Sequence, residues 1–321
     1  MNSFWDKLPK PFFVLAPMAD VTDPAYRALI AESGKPDVTW TEFVSADGIY
    51  HTREKGIMPD SDNPLLRDLQ YTEAERPIVA QLFSSNPVNM AYTATLCREL
   101  GFDGVDINMG CPDKSIEKQG CGAAMMKDPE KARAIIRAAK ESGLPVSVKT
   151  RIGYNSENMD EWLTQVLEEK PAALTVHLRT RKEMSKVPAH WELMPRAVAL
   201  RDRISPDTYI LGNGDVQDIA DARQKALDSG ADGIMLGRAI FGNPWVFAGK
   251  KGEDISQEEK ITALLALACG YEKLRPQKSF HILKKHVKAF ITGFEGSAPL
   301  RASLMEAVDF AEFIQILETA S

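Results

Sequence analysis

Between Phe12 and Gly237 the chain switches from strand-like to helix-like hydrophobic patterning eight times. The strand-like runs are residues 12–16, 38–43, 77–82, 104–108, 145–149, 173–177, 208–213 and 233–237. Helix-like stretches such as DPAYRALIAESG and DPEKARAIIRAAKESG separate them, opening on Asp-Pro or Asn-Pro and closing on Gly. Strand–helix alternation demands a parallel sheet covered by helices. Eight such units in about 250 residues match a closed (β/α)8 barrel. An open doubly wound sheet would carry GxGxxG after its first strand, where this chain reads APMADVTD. After GNPWVF the strand signal stops. The polar segment 250–260 reads as a linker, with a helix start at Ser256, and only helix periodicity follows. The expected fold class is therefore α/β: a (β/α)8 barrel over residues 1–247 and a small all-helical domain over 248–321.

The longest apolar runs are about half a membrane span, so no transmembrane helix is expected. The N-terminal MNSFWDKLPKPFF lacks the basic-then-apolar layout of a signal peptide, which points to a reducing cytoplasm. There Cys97, Cys111, Cys121 and Cys269 are expected to be free thiols. No CxxC pair or His-rich cluster accompanies them, which argues against a zinc site. No feature asks for an obligate protein partner, and a monomer is expected. The net charge of −6 argues weakly against a nucleic-acid partner, but its distribution matters more. From Tyr271 to Arg301 seven basic residues face only Glu272 and Glu295, and HLRTRKEMSK forms a second basic island. Phe280, Leu283, Val287 and Phe290 keep helical spacing while Lys284, Lys285 and Lys288 take the other faces. Those lysines read either as a solvated face or as a phosphate-contacting one.

In a (β/α)8 barrel, function gathers at the C-terminal ends of the strands. The residues reaching that rim here are Pro17 and Met18, Gln81, Asn108, Lys149, His177, Asn213 with Gly214 and Asp215, and Gly237 with Arg238. Buried parallel strands are otherwise nearly continuous runs of apolar residues, so this many polar strand ends point to a site. The glycine-containing loops after the last two strands, with Gly212, Gly214 and Gly237, suit close backbone approach to a phosphate. The Gln81 amide suits a flat heterocycle. Cys111 opens a long loop, read as structureless to about Lys127, a length that is usually functional. A thiol with an ordinary pKa of about 8.5 is protonated at neutral pH and suits a general acid. Cys97 and Cys269 fall in helical apolar patterns. Cys121, in GCGAA, reads as tight packing of small residues, and a disulfide to Cys111 is disfavoured in a reducing compartment.

Taken in order, APMADVTD, QLF, DINMGCP, VKTRIG, VHLRTR, GNGDV and LGRAIFGNPW resemble the tRNA-dihydrouridine synthases, and the tail HVKAFITGFEGSAPLRASLMEA resembles that family's C-terminal domain. The resemblance implies an FMN-containing barrel, a helical domain that holds tRNA, and NADPH- or NADH-dependent reduction of uridine to 5,6-dihydrouridine. By motif it implies that Pro17, Met18 and Ala19 lie along the flavin, that Gln81 bonds its ring, and that Lys149 and His177 contact it. Asn213, Gly214, Asp215, Gly237 and Arg238 would cradle its phosphate, and Asn108 would touch the target base. In the implied chemistry hydride goes from the flavin N5 to C6 of the base, and Cys111 gives the proton to C5. Arg151, Arg179, Arg181 and Lys182 would line the entrance for RNA phosphates, and Lys284, Lys285 and Lys288 would hold the tRNA body. The family's usual His-Gly-Arg or His-Ala-Arg is His177-Leu178-Arg179 here, which places a bulkier residue beside the expected flavin site. Two rivals remain open: a flavin oxidoreductase of a small molecule, and a non-catalytic RNA-binding module.

Overall fold

The computed structural model describes residues 3–320. Its strands are β1 (Phe12–Leu15), β2 (Thr39–Trp40), β3 (Val44–Ser45), β4 (Ile78–Phe83), β5 (Gly104–Met109), β6 (Val146–Arg151), β7 (Ala173–His177), β8 (Tyr209–Asn213) and β9 (Gly233–Leu236). All pairings are parallel, in the order β1-β9-β8-β7-β6-β5-β4-β2, with β3 also on β4. A Val14–Val38 bridge closes the ring between β1 and β2; the Leu15 N–H donates to the Val38 carbonyl at 3.1 Å. The sheet is thus the expected (β/α)8 barrel, with helices between its strands.

One strand differs from the sequence pattern. The run 38–43 breaks after Trp40 and resumes at Val44. The Thr41 N–H still donates to the Val79 carbonyl at 3.0 Å, while its hydroxyl accepts from the Gln81 N–H at 3.0 Å and donates to the Glu42 carbonyl at 2.8 Å where the ladder breaks. The helix punctuation has its expected cause: Asp23, Asn86 and Asp128 cap helices that begin at Pro24, Pro87 and Pro129.

The period of two divides the strands into two faces. Val105, Ile107, Val146, Val148, Leu174 and Val176 belong to a continuous core with the surrounding helices. Phe12, Val14, Trp40, Val79, Leu211 and Met235 form a separate inner cluster with Trp5. Trp5 sits 5.7 to 5.9 Å from the rings of Phe12, Trp40 and Tyr209, so the short turn Phe4–Lys7 plugs the N-terminal end of the barrel. With that end filled by apolar rings, polar inward residues are left for the other end.

The tail comprises helices Gln257–Lys273, Phe280–Phe290, Ser297–Glu306 and Phe310–Ala320. Ser256 and Glu259 form a reciprocal cap at the first. The tail's Leu264, Tyr271, Val287 and Phe290 share the core of the barrel's Tyr26 and Ile30. Gly270 lies so close to the helix Pro24–Gly34 that an added Cβ would sit 3.1 Å from that of Ala25. The segment between the first two tail helices brings Lys278 down to the barrel. There its ammonium is 2.7 Å from Glu42 and 3.9 to 4.0 Å from Asp23, Asp68 and Asp20. Burial pushes the Glu42 carboxyl up to about 7, against the pull of Lys278. Among the described residues no helix is long and apolar enough to cross a membrane.

Candidate active site

Register brings the inward residues of neighbouring strands level: Gln81 with Asp106, Asn108 with Lys149, Arg151 with His177, and His177 with Asn213. All of these but Asp106 line a cavity of about 700 Å³ at the C-terminal mouth, a volume suited to a cofactor or nucleotide-sized ligand. Its lining includes Ala16, Pro17, Met18 and Met235 on apolar stretches, and Cys111 with the polar residues above.

The mouth is strongly basic. Burial, with Arg151 nearby, pushes the Lys149 ammonium down to about 8, and Lys149 donates to Asn213 Oδ1 at 3.2 Å. Asn213 is itself fixed by donating to the Met235 carbonyl at 2.8 Å. His177 is held well below its ordinary value, first by burial and then by Arg151 and Lys149. It is therefore neutral, and its Nε2, 3.2 Å from the Arg179 guanidinium, must be the acceptor. Burial also pushes the Cys111 thiol up, so it carries its proton at neutral pH.

The loop that carries Cys111 is built rather than structureless. It contains the short helix Lys114–Glu117, capped by Asp113, and the 3-10 turns Gly122–Lys127. The Ala123 N–H donates to the Cys111 carbonyl at 2.9 Å, and Gly122, at φ +60°, packs so closely that a Cβ would lie 2.7 Å from that carbonyl. Asn108 Oδ1 accepts from the N–H groups of Gly110 at 3.1 Å and Cys111 at 2.9 Å. Cys121 is buried against Ile116 and Phe83, and Cys111 and Cys121 are both free thiols.

Several expected residues lie elsewhere or are differently engaged. Ala19 is exposed and off the cavity wall, because the chain turns away after Met18; Ala16 lines the cavity instead. Leu178 is fully buried in the outer core: with His177 facing inward, the alternation of β7 carries the next side chain outward. Gly212 makes room for Trp191, whose ring atoms would lie 2.6 Å from an added Cβ, rather than for an anion. The Asp215 carboxylate pairs with Arg179 and Arg238 and accepts from the Ala189 N–H at 2.9 Å, so it organises cations instead of meeting a phosphate. Arg151 and Arg179 line the cavity but are not free entrance charges. Arg151 donates to the carbonyls of Gly110, Thr180 and Met184, and Arg179 donates to that of Val187. Arg181 forms a two-bond pair with Glu117. Lys182 is exposed. In the tail, Lys284 donates to the Met305 carbonyl at 2.7 Å and Lys285 pairs with Asp20 at 2.9 Å, which leaves Lys288 exposed and unpaired.

The sequence reading also missed Asp106. It lies inside β5, fully buried, and accepts from Gln81 Nε2 and Ser147 Oγ, both at 2.6 Å. Burial pushes its carboxyl up to about 6. A charged residue within an otherwise apolar strand was the available signal.

A parallel barrel whose mouth gathers an apolar wall, a protonated thiol and cations around one cavity has the architecture of an enzyme. The dihydrouridine synthase family profile matches residues 14–321, and the chain belongs to that family. It is 42% identical over 322 residues to the probable tRNA-dihydrouridine synthase 2 of Bacillus subtilis (strain 168), covering 99% of this chain and 96% of that one. It is 40% identical over 320 residues to a probable tRNA-dihydrouridine synthase of Staphylococcus aureus (strain COL), covering 99% and 95%. Among solved structures, 2-naphthoyl-CoA reductase superposes with a TM-score of 0.56 at 9% identity, over 76% of this chain and 50% of that one. Histamine dehydrogenase from Rhizobium sp. 4-9 superposes at 0.52 and 13% identity, over 80% and 48%. At such identities these two share the fold alone.

Proposed function

We propose that the chain reduces the C5=C6 bond of uridines in tRNA, in a reducing cytoplasm, with bound FMN and with NADPH or NADH as the reductant. The residues present fit FMN. Gly214, at φ +126°, leaves no room for a Cβ, which would lie 2.8 Å from that of Ala189, and Gly237 is open beside Met18. Arg179 and Arg238 flank that loop with positive charge, and the wall from Ala16 to Met18 gives a flat ring an apolar bed. Gln81, Lys149, His177 and Asn213 supply polar atoms around the same cavity. When bound, FMN supplies the hydride that reaches C6 of the base.

The chain's own groups do the rest. Lys149, buried and cationic, stabilises negative charge gathering at the mouth. Reduction at C6 leaves C5 electron-rich through conjugation with the C4 carbonyl. The Cys111 thiol, kept protonated by burial, gives C5 its proton. The thiolate left behind is favoured by the charges of Arg151 and Lys149. The base has to leave its stack to enter a cavity of this kind. The exposed Lys182 and the tail domain, residues 248–321, hold the rest of the tRNA, and Lys288, unlike Lys284 and Lys285, is free for a phosphate.

The observation that carries this reading is the meeting of Cys111, Lys149 and His177 at one cavity in a dihydrouridine synthase family member. The test is to map dihydrouridine across the tRNAs of a deletion strain, with and without the restored gene. Specific positions should revert to uridine and recover on complementation. Unchanged tRNA would refute the proposal.

A further inference from the structure

A chain of directed hydrogen bonds runs from the barrel interior to the Cys111 loop. Asp106 Oδ2 accepts from Gln81 Nε2 at 2.6 Å, Gln81 Oε1 accepts from Asn108 Nδ2 at 3.2 Å, and Asn108 Oδ1 accepts from the Cys111 N–H at 2.9 Å and the Gly110 N–H at 3.1 Å. The three side chains that form it are all buried. An amide has one accepting and one donating end, so it transmits direction. The Asp106 carboxylate only accepts, so Gln81 must turn its NH2 toward it and its oxygen toward Asn108. Asn108 must then turn its NH2 toward Gln81, which leaves its oxygen for the two N–H groups of the turn. Reversing either amide would set donor against donor or acceptor against acceptor in a buried site, which costs more than losing one hydrogen bond. Ser147 Oγ, 2.6 Å from Asp106 Oδ1, holds the carboxylate in place.

We propose that Asp106 is a positioning residue for Cys111: it sets the orientation of Gln81 and Asn108, and through them the turn that presents the thiol. The proposal deepens the reading of Cys111 as the proton donor and rests on it. It also changes the expectation for Asn108, whose carbonyl oxygen holds the Cys111 turn instead of standing free to read a base.

Asp106→Asn keeps the direction of the relay. Its Oδ1 still accepts from Gln81, and its NH2 donates to Ser147 Oγ, whose proton has the Val105 carbonyl at 3.4 Å as an alternative acceptor. Asp106→Ala removes the anchor. Asn108→Asp keeps an acceptor for the Cys111 N–H but sets a carboxylate against Gln81 Oε1, so it breaks the chain at its middle.

The decisive readout is the pH profile of Cys111 alkylation by iodoacetamide, followed by peptide mass spectrometry on flavin-bound protein. A second readout is kcat for uridine reduction against KM for tRNA. Asp106→Asn should match the parent in alkylation midpoint and stay within about threefold in kcat. Asp106→Ala and Asn108→Asp should shift the midpoint and lower kcat by about tenfold or more at unchanged KM, since small misplacements of a catalytic group are costly. Equal shifts in Asp106→Asn and Asp106→Ala would show a charge effect and overturn the relay, and so would no shift in either. If Asp106→Ala fails to fold, Asn108→Ala, which removes the acceptor of the Cys111 N–H without adding a charge, compared with Asp106→Asn separates the same outcomes. If Cys111 is not the acid, Cys111→Ala will keep uridine reduction, while the alkylation profiles still report separately on the relay.

Discussion

The barrel mouth and the tail segment 271–301 both look basic in the sequence, but the fold treats their charges differently. At the mouth, Lys149 and Arg151 on β6 and Arg179 just past β7 converge on one cavity, even where the arginines also hold loop carbonyls. In the tail, the charges disperse: Lys278 is buried among carboxylates, Lys284 and Arg301 meet backbone carbonyls, and Lys285 pairs with Asp20. Strand register dictates where a side chain goes, because inward and outward alternate and neighbours are level. A lysine on a helix has a long flexible stem and engages whatever acceptor is near. Charge count therefore overstated how many tail cations are free, and position at a strand end was the better guide to which side chains share one cavity.

This contrast can be broken at several points. Cys111→Ala should leave flavin binding and NADPH oxidation intact and slow tRNA-dependent flavin oxidation in stopped flow by about 10²–10⁴-fold; an unchanged rate would remove Cys111 from the mechanism. In the tail, Lys278→Met strands buried Glu42 and Asp23 without their cation. It should lower stability by about 3–5 kcal/mol in urea titration, with Glu42→Gln on the same background restoring part of it. A loss no larger than that of a surface lysine would show that the buried carboxylates do not depend on Lys278.

At the mouth again, Lys149 is pushed down to about 8, and a flavin ring whose polar edge accepts a hydrogen bond from it favours its charged form. Affinity for FMN should thus be full below pH 8 and fall by up to about tenfold per pH unit above it. Equilibrium binding of FMN to apoprotein from pH 6 to 10 checks this, and Lys149→Met should flatten the profile. The smallest effect belongs to the exposed tail. Lys288→Ala should reduce the salt slope of tRNA binding by about 1, whereas Lys284→Ala should leave it unchanged, because Lys284 already serves Met305.

The alternation of periods made the barrel legible, and with it the rim residues Gln81, Asn108, Lys149, His177 and Asn213. Cys111 was legible from its place just past β5. The same period of two, followed one residue further, would have placed Leu178 on the outer face instead of beside the flavin site. Asp106 escaped notice because its significance lies in the directed bonds to Gln81 and Ser147, and those bonds depend on which neighbours share its level in the barrel. Lys278 was counted as surface charge because nothing local in QKSF reveals that the segment crosses to Glu42, more than 200 residues away in sequence. The Glu42 break in the second strand and the burial of Lys278 are one feature seen from two distant places in the chain.

The most direct test of the account uses the purified flavin-bound protein with NADPH, offered either tRNA from the deletion strain or uridine mononucleotide at equal concentration, with nucleosides analysed by mass spectrometry. The account predicts dihydrouridine in the tRNA, dependent on NADPH, and little or none in the mononucleotide. Rapid reduction of the mononucleotide with the tRNA left unchanged would contradict it and assign this mouth to a small pyrimidine.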